Sequence, residues 1–566
     1  MTVQAELESV ELLEQPSLQA RSQAALSDSS RDSALSRPTW SSPRRLWMLG
    51  LVGVAVWLVW QTWWVRRPVI NGRGWPQVGR FARASLSPRL DREFIEVVGR
   101  AALTTIEFAV LGTAVAMLIG LTGGVVTCRA WGPLPGEKSA FVSRAAAVLI
   151  RTLLVVPRGI HEAIWALGLV FMLGRNPLVA VLAIGIPFGA ITAKVIADAL
   201  DAADQRGQQS LRRAGAGRLV SILYGLAPSV AGDITAYGFY RVECALRSSV
   251  VLGAIGVGGI GFQLALSFQS LQYNEMWTLI YALVAMSLVV DAVGSRYRRR
   301  QFDAGSARVC RTMTIGAAVC VMAAAWHLHV RPLSLTSERT RALAARLARD
   351  AWPPRLPSGG WGELGREFVA TLQLSVIAIG LATLVGVPLA FVASRSIAGA
   401  ATGRWRIRVV ASLVRTFALV LRSVPPTVWA LIVLFVVFPG PLAGGIALGV
   451  YTAGVLIRLD ADVIEQTDRA SMNALRHSGA SRMVAFAYGT VPTVGPRLLS
   501  MSTYRWGVAA RETVIVGLVG AGGLGRTLAQ QNAAQDEAGM LTTVVALILV
   551  SILIDTVGRR LRLAYS

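Results

Sequence analysis

The sequence predicts an all-α polytopic membrane protein with about twelve transmembrane helices in two parallel repeats. Three observations carry this. Only 16% of the 566 residues are charged and 54% are hydrophobic, with a mean hydropathy of +0.53, whereas soluble domains carry about a quarter charged residues. Apolar runs recur that are long enough to cross a hydrocarbon core of about 30 Å as roughly 20 helical residues. One set of motifs also occurs twice, at an offset of about 264 residues.

Residues 1–43 are rich in Ser, Glu, Gln and Arg without apolar periodicity, which predicts a disordered cytoplasmic tail. Leu46 to Trp64 comes next as a membrane anchor, flanked by Arg44-Arg45 and Arg66-Arg67, with Trp57, Trp60, Trp63 and Trp64 suited to the interface. Further runs fall at 101–127, 147–172, 177–199, 236–256 and 275–294. After a basic stretch they resume at 312–330, 368–393, 409–438, 442–463, 501–520 and 540–558. The offset maps Arg151-Thr152 onto Arg415-Thr416, Trp165-Ala166-Leu167 onto Trp429-Ala430-Leu431, and Tyr240-Arg241 onto Tyr504-Arg505. Composition bias does not keep a constant spacing over such a length. The domain organisation is therefore a tail (1–43), a first repeat (44–300) and a second repeat (301–566), each repeat opening with an anchor helix.

The net charge of +24 is nearly all arginine, since only Lys138 and Lys194 are lysines. These arginines punctuate apolar segments and form no single basic face, which argues against nucleic acid as a partner and for anchoring in a lipid bilayer. The positive-inside rule puts both termini in the cytoplasm, although the arginine-rich connections at 65–100 and 331–367 run against it. Cys128, Cys244, Cys310 and Cys320 have neither a disulfide framework nor zinc spacing.

Several chemistries are excluded. Gly256-x-Gly258-x-x-Gly261 and Gly520-x-Gly522-x-x-Gly525 fit a dinucleotide-binding pattern literally, yet they lie between membrane helices and not in a βαβ unit. They predict tight reversals with positive φ. Neither lysine follows a glycine, so there is no P-loop, and His161-Glu162 lacks the second histidine of a zinc hydrolase. No catalytic constellation or metal site is expected in this chain.

The polar segment before the penultimate run of each repeat carries the functional signal. Each has a helical stretch, a glycine (Gly215, Gly479), and an amphipathic run ending thirteen residues later in Pro228 or Pro492. This spacing resembles the cytoplasmic loop of permease subunits of ATP-binding-cassette importers. Tyr240-Arg241-x-Glu243-x-x-x-Arg247-Ser248-Ser249 with the glycine-rich stretch after it is similar to the permease of the phosphonate importer family, as are Tyr504-Arg505-Trp506, Gly517 to Gly525 and Arg422 to Leu431. The resemblance spans roughly 92–296 and 366–562, as two copies fused in one chain.

It implies a type I importer permease of MetI-like fold. ATP and magnesium would be held by partner ATPase subunits that dock on the paired loops through Gln209, Leu211, Gly215 and Pro228 and through Asn473, Leu475, Gly479 and Pro492. An extracytoplasmic solute-binding protein would deliver substrate, in the plasma membrane of a prokaryote. The sequence departs from the family where Gln209 and Asn473 replace the loop glutamate and Gly225 and Gly489 replace an isoleucine. Ile160-His161-Glu162 also stands opposite Val424-Pro425-Pro426, and Glu243 opposite Gly507.

Arg158 and Arg422, Arg241 and Arg505, and Arg247 and Arg511 recur within or beside apolar runs. A charge there costs at least about 2.5 kcal/mol unless it is paired or lines a wet cavity. Two readings are open: a cationic lining for an oxyanion, or structural pairing such as Glu243 with Arg247 one turn apart. The expected function is a pathway for phosphonate, phosphate or phosphite. The alternatives are an importer of another solute such as an amino acid, or a duplicated channel or carrier that needs no ATPase.

Overall fold

A computed structural model describes residues 53, 55–61, 70–132, 140–304, 307–394, 405–467 and 470–565. The expected tail and much of the first anchor lie outside the described residues. Two units are distinguished, Met1–Val56 and Trp57–Ser566. Of the first only residues 53, 55 and 56 are described, all helical. Both repeats of long helices belong to the second unit.

The first repeat runs through α1 (Trp75–Ala84), α2 (Arg92–Thr127), α3 (Ala140–Gly159), α4 (Glu162–Leu173), α5 (Pro177–Ala202), α6 (Arg206–Arg213), α7 (Arg218–Gly225), α8 (Ala227–Ala254), α9 (Ile260–Gln269) and α10 (Tyr273–Ala304). The second has α11 (Ala307–His327), α12 (Glu338–Ala351), α13 (Gly360–Ala393), α14 (Trp405–Ser423), α15 (Pro426–Val436), α16 (Pro441–Gln466), α17 (Ala470–His477), α18 (Arg482–Ala485), α19 (Val491–Val516), α20 (Leu524–Ala533) and α21 (Glu537–Tyr565). Among the described residues the only β-pairing is one isolated bridge, Ile70 to Val437.

Six helices are long and apolar enough to cross a membrane, or up to ten spans when four bent pairs are each taken as one. The chain is a multi-pass membrane protein. Two of the long helices of each repeat, α2 with α5 and α13 with α16, pack through glycine. A Cβ on Gly112 would sit 2.8 Å from Ile184, and one on Gly445 would sit 2.6 Å from Ile377. Small residues at such crossings let helix backbones approach where no hydrophobic force drives association in lipid.

The runs 147–172 and 409–438, each expected as one span, are each broken by a 91° bend. Each break has its own start signal. His161 caps α4, its Nδ1 accepting from the Ala163 N–H at 3.1 Å. Proline opens α15 in its first turn, where its missing N–H costs nothing. The different residues at 160–162 and 424–426 thus make the same bend by two routes.

The glycine-rich reversals agree with the expectation. Gly256, Gly258 and Gly259 have φ of +103°, +124° and +78°, and Gly520, Gly522 and Gly523 repeat this at +99°, +98° and +72°. Each reversal is tied back to a long helix. The Ile260 N–H donates to Thr105 Oγ1 and the Leu524 N–H to Thr371 Oγ1, both at 2.9 Å.

The arginine-rich connections carry α1 and α12. Arg73, Arg80, Arg83, Arg339, Arg341, Arg346 and Arg349 are exposed on or beside these two surface helices. In α1, Phe81 is buried against Tyr273 and Trp277. The charge there belongs to folded surface helices and not to short loops, to which the positive-inside rule applies.

Candidate functional site

Between the repeats lies a cavity of about 1050 Å³. All six arginines singled out in the sequence line it: Arg158, Arg241, Arg247, Arg422, Arg505 and Arg511. Arg158 comes from the end of α3 and Arg422 from the end of α14, the two bent spans. Arg241 and Arg247 lie on α8, and Arg505 and Arg511 on α19. The bends therefore bring one arginine from each repeat toward the helices of the other.

These guanidinium groups are mostly paired. Glu243 bonds Arg422, lies 2.7 Å from Arg247 Nη2 and 3.6 Å from Arg458. The within-helix pair anticipated from spacing exists, but Glu243 also bridges to the second repeat. Asp291 on α10 joins from the same side, 2.8 Å from Arg458 Nη1. Arg247 also donates to Tyr451 Oη at 3.2 Å. Arg505 sits 3.7 Å from Glu512, and Arg511 is 3.8 Å from Asp555 on α21, not paired with its sequence neighbour Glu512. Arg241 takes a different partner. Its Nε donates to Tyr237 Oη at 2.7 Å, and its guanidinium lies 5.0 Å from the Phe188 ring centre. Such a ring face attracts a desolvated cation by about 2 kcal/mol.

Arg458, Tyr451, Asp291 and Asp555 were not singled out from the sequence. A signal for two of them was present, because Asp291 and Asp555 are acids in apolar runs that recur at the repeat offset. Beside the bend of the first repeat, Glu162 accepts from Ser248 Oγ at 2.6 Å and faces His161 Nε2 at 3.4 Å. The cavity thus presents guanidinium donors and aromatic hydroxyls from both repeats, with carboxylates set between them.

The paired loops are helix–turn–helix units. Gly215 and Gly479 make the turns at φ of +89° and +86°, with open space where a side chain would project. Gln209 and Asn473 are exposed, and Leu211 and Leu475 are half-buried. Pro228 and Pro492 do not end the loop helices but stand in the first turns of α8 and α19. Leu219, Val220 and Tyr224 are exposed on α7, and Met483, Val484 and Tyr488 repeat that apolar surface at the same offset. The two glycines in place of isoleucine have a packing reason. A Cβ on Gly225 would fall 2.7 Å from the Gln208 backbone, and one on Gly489 would fall 2.8 Å from Met472 Cα.

Residues 395–564 match the family described as binding-protein-dependent transport system inner membrane component. The phosphate-import permease protein PhnE of Mycolicibacterium smegmatis is 27% identical over 477 residues, 82% of this chain and 85% of that protein. The phosphite transport system permease protein PtxC of Stutzerimonas stutzeri is 30% identical over 228 residues, 40% of this chain and 78% of its own length. A chain of the inward-facing MetNI methionine ABC transporter aligns at 22% identity, covering 36% of this chain and 96% of its own, with a TM-score of 0.32. The PhnE alignment runs through both repeats, whereas the PtxC alignment accounts for less than half of this chain. The chain belongs to the permeases of binding-protein-dependent inner-membrane transport systems, with two permease copies fused in one polypeptide.

Proposed function

We propose that the chain forms the membrane pathway for an oxyanion of the phosphate, phosphite or phosphonate class, in the plasma membrane of a prokaryote with both termini cytoplasmic. The observation that carries this is the meeting of three duplicated pairs of arginines at one cavity between the repeats. Guanidinium offers forked donors that match such oxyanions, and a conduit needs attraction weak enough to release them. The relatives named for phosphate and phosphite import support the same class.

In this reading the chain has no chemistry of its own. Partner ATPase subunits bind ATP and magnesium and dock on the exposed apolar faces of the two loops, while an extracytoplasmic binding protein delivers substrate. Closure of the ATPases moves both loop units together. Pro228 and Pro492 stand where each loop meets the long helix bearing Arg241 and Arg247 or Arg505 and Arg511, so a push on the loop reaches the cavity through one rigid element.

The test is uptake in cells with and without the chain, competed by phosphate, phosphite and alkylphosphonates. Uptake competed by at least one of the three is expected. A profile blind to all three assigns the pathway to another solute.

A further inference from the structure

We infer that the cavity takes its oxyanion on one side only, at Arg158, Lys194 and Arg511, and that Glu243 is a built-in carboxylate filling the matching place on the other side. This rests on the oxyanion reading above and adds which residues receive the anion.

The two sides of the cavity correspond at the repeat offset. Arg422, Arg458, Arg247 and Asp291 on the first side match Arg158, Lys194, Arg511 and Asp555 on the second. The helices correspond too, because α10 touches α14 on one side as α21 touches α3 on the other. The charge balance does not correspond. On the first side three cations meet three carboxylates: Glu243 and Asp291, with Asp462 4.0 Å from Arg458. On the second side Gly507 stands in the place of Glu243. Asp555 is 3.8 Å from Arg511 and its side chain is 53% exposed. Arg158 and Lys194 make no ion pair within 4 Å among the described residues. Asp198, the mate of Asp462 at the repeat offset, also lines this side, so Arg158, Lys194 and Arg511, with Arg559 beside them, face the two carboxylates Asp198 and Asp555.

Both sides face the cavity, and on the second side Asp555 and Arg559 line it, whereas Asp291, the mate of Asp555, does not. The bare backbone at Gly507 leaves room for the Asp555 carboxylate, whose Oδ1 would lie 2.7 Å from a Cβ there. Cations left in excess inside a membrane protein call for an anion. A carboxylate and a phosphate-type oxygen satisfy guanidinium in the same forked way, so Glu243 shows what the second side lacks.

The test uses the full chain with its ATPase and binding protein in cells, reading uptake of inorganic phosphate, phosphite and an alkylphosphonate. Gly507→Glu supplies the missing carboxylate, and Gly507→Gln adds the same bulk without charge. Gly507→Glu is expected to take up about tenfold less than Gly507→Gln. Arg158→Gln is expected to raise KM for phosphate about tenfold at an unchanged membrane level of protein. Arg422→Gln, which leaves Glu243 short of a partner, should instead lower that level. Equal uptake by the two Gly507 variants overturns the one-sided site. Should both Gly507 variants be missing from the membrane, an unchanged KM in Arg158→Gln overturns it. Wild-type uptake of none of the three oxyanions removes the pathway reading and the site with it, while wild-type uptake with equal Gly507 variants removes the site alone.

Discussion

Glu243 meets guanidinium groups from both repeats, with only 11% of its side chain exposed. Removing one partner of a buried pair is costlier than the pair's own worth, because the other charge stays in a poor solvent. Glu243→Gln should therefore destabilise the protein by about 3 kcal/mol, read as faster thermal inactivation in detergent. Unchanged inactivation would show that water already screens the cluster. Arg247→Gln should cost less, since Glu243 keeps Arg422 and Arg458. At this scale the sequence is partly legible. The spacing of Glu243 and Arg247 gives their contact directly, because one helical turn separates them. The bond from Glu243 to Arg422 spans 179 residues of chain and depends on where the bent span of the second repeat breaks, which local pattern does not encode.

Two kinds of glycine serve the paired loops, and they differ in what a side chain would meet. At Gly215 the obstacle is backbone angle alone, with open space around it. At Gly225 the obstacle is the backbone of the neighbouring helix. Gly215→Ala should cost about 1 kcal/mol of local strain and leave much of the ATPase association intact. Gly225→Ala should separate α6 from α7 and reduce ATPase co-purification more strongly, with the chain still inserted. The reverse ranking would show that turn strain, and not helix packing, sets the loop.

The hydroxyl links to the glycine-rich reversals give a further expectation. Thr105→Val leaves the buried Ile260 N–H without its acceptor, at about 1–3 kcal/mol, and should raise hydrogen exchange at that amide. Exchange at Leu524, held by Thr371, should stay unchanged. Positive φ in these reversals is legible from glycine spacing, because few other residues tolerate it. The 91° breaks are not, because both runs stay apolar through the bend and hydropathy carries no direction. The proline pair is an ordinary helix start and the histidine an unusual cap, yet apolar sequence on both sides disguises both as interior positions.

Across the whole molecule, the two repeats are held to each other by charge as well as by packing. A double-mutant cycle of Glu243→Gln and Arg422→Gln should show a coupling energy of about 1–3 kcal/mol, with the double variant more stable than the sum of the singles predicts. Additive losses would mean that the two side chains act independently and that apolar contact alone joins the repeats. The duplication, its parallel sense and the convergence of matched helices are legible as a constant offset. That Glu243 stands opposite Gly507 is legible in the same offset, whereas which cations that difference leaves short of a partner is visible only once the ion pairs are drawn.

The fusion of the copies has one more consequence, which concerns what mutation can reach. When two identical chains assemble about a twofold axis, every substitution is made twice, and a charge gained near the axis is gained on both sides. Such an assembly has no route to a carboxylate at one position and bare backbone at its mate. In a single polypeptide each codon is read once, so Glu243 and Gly507 are free to differ. The peptide link between the repeats thus uncouples the inheritance of the two walls while leaving their architecture alike.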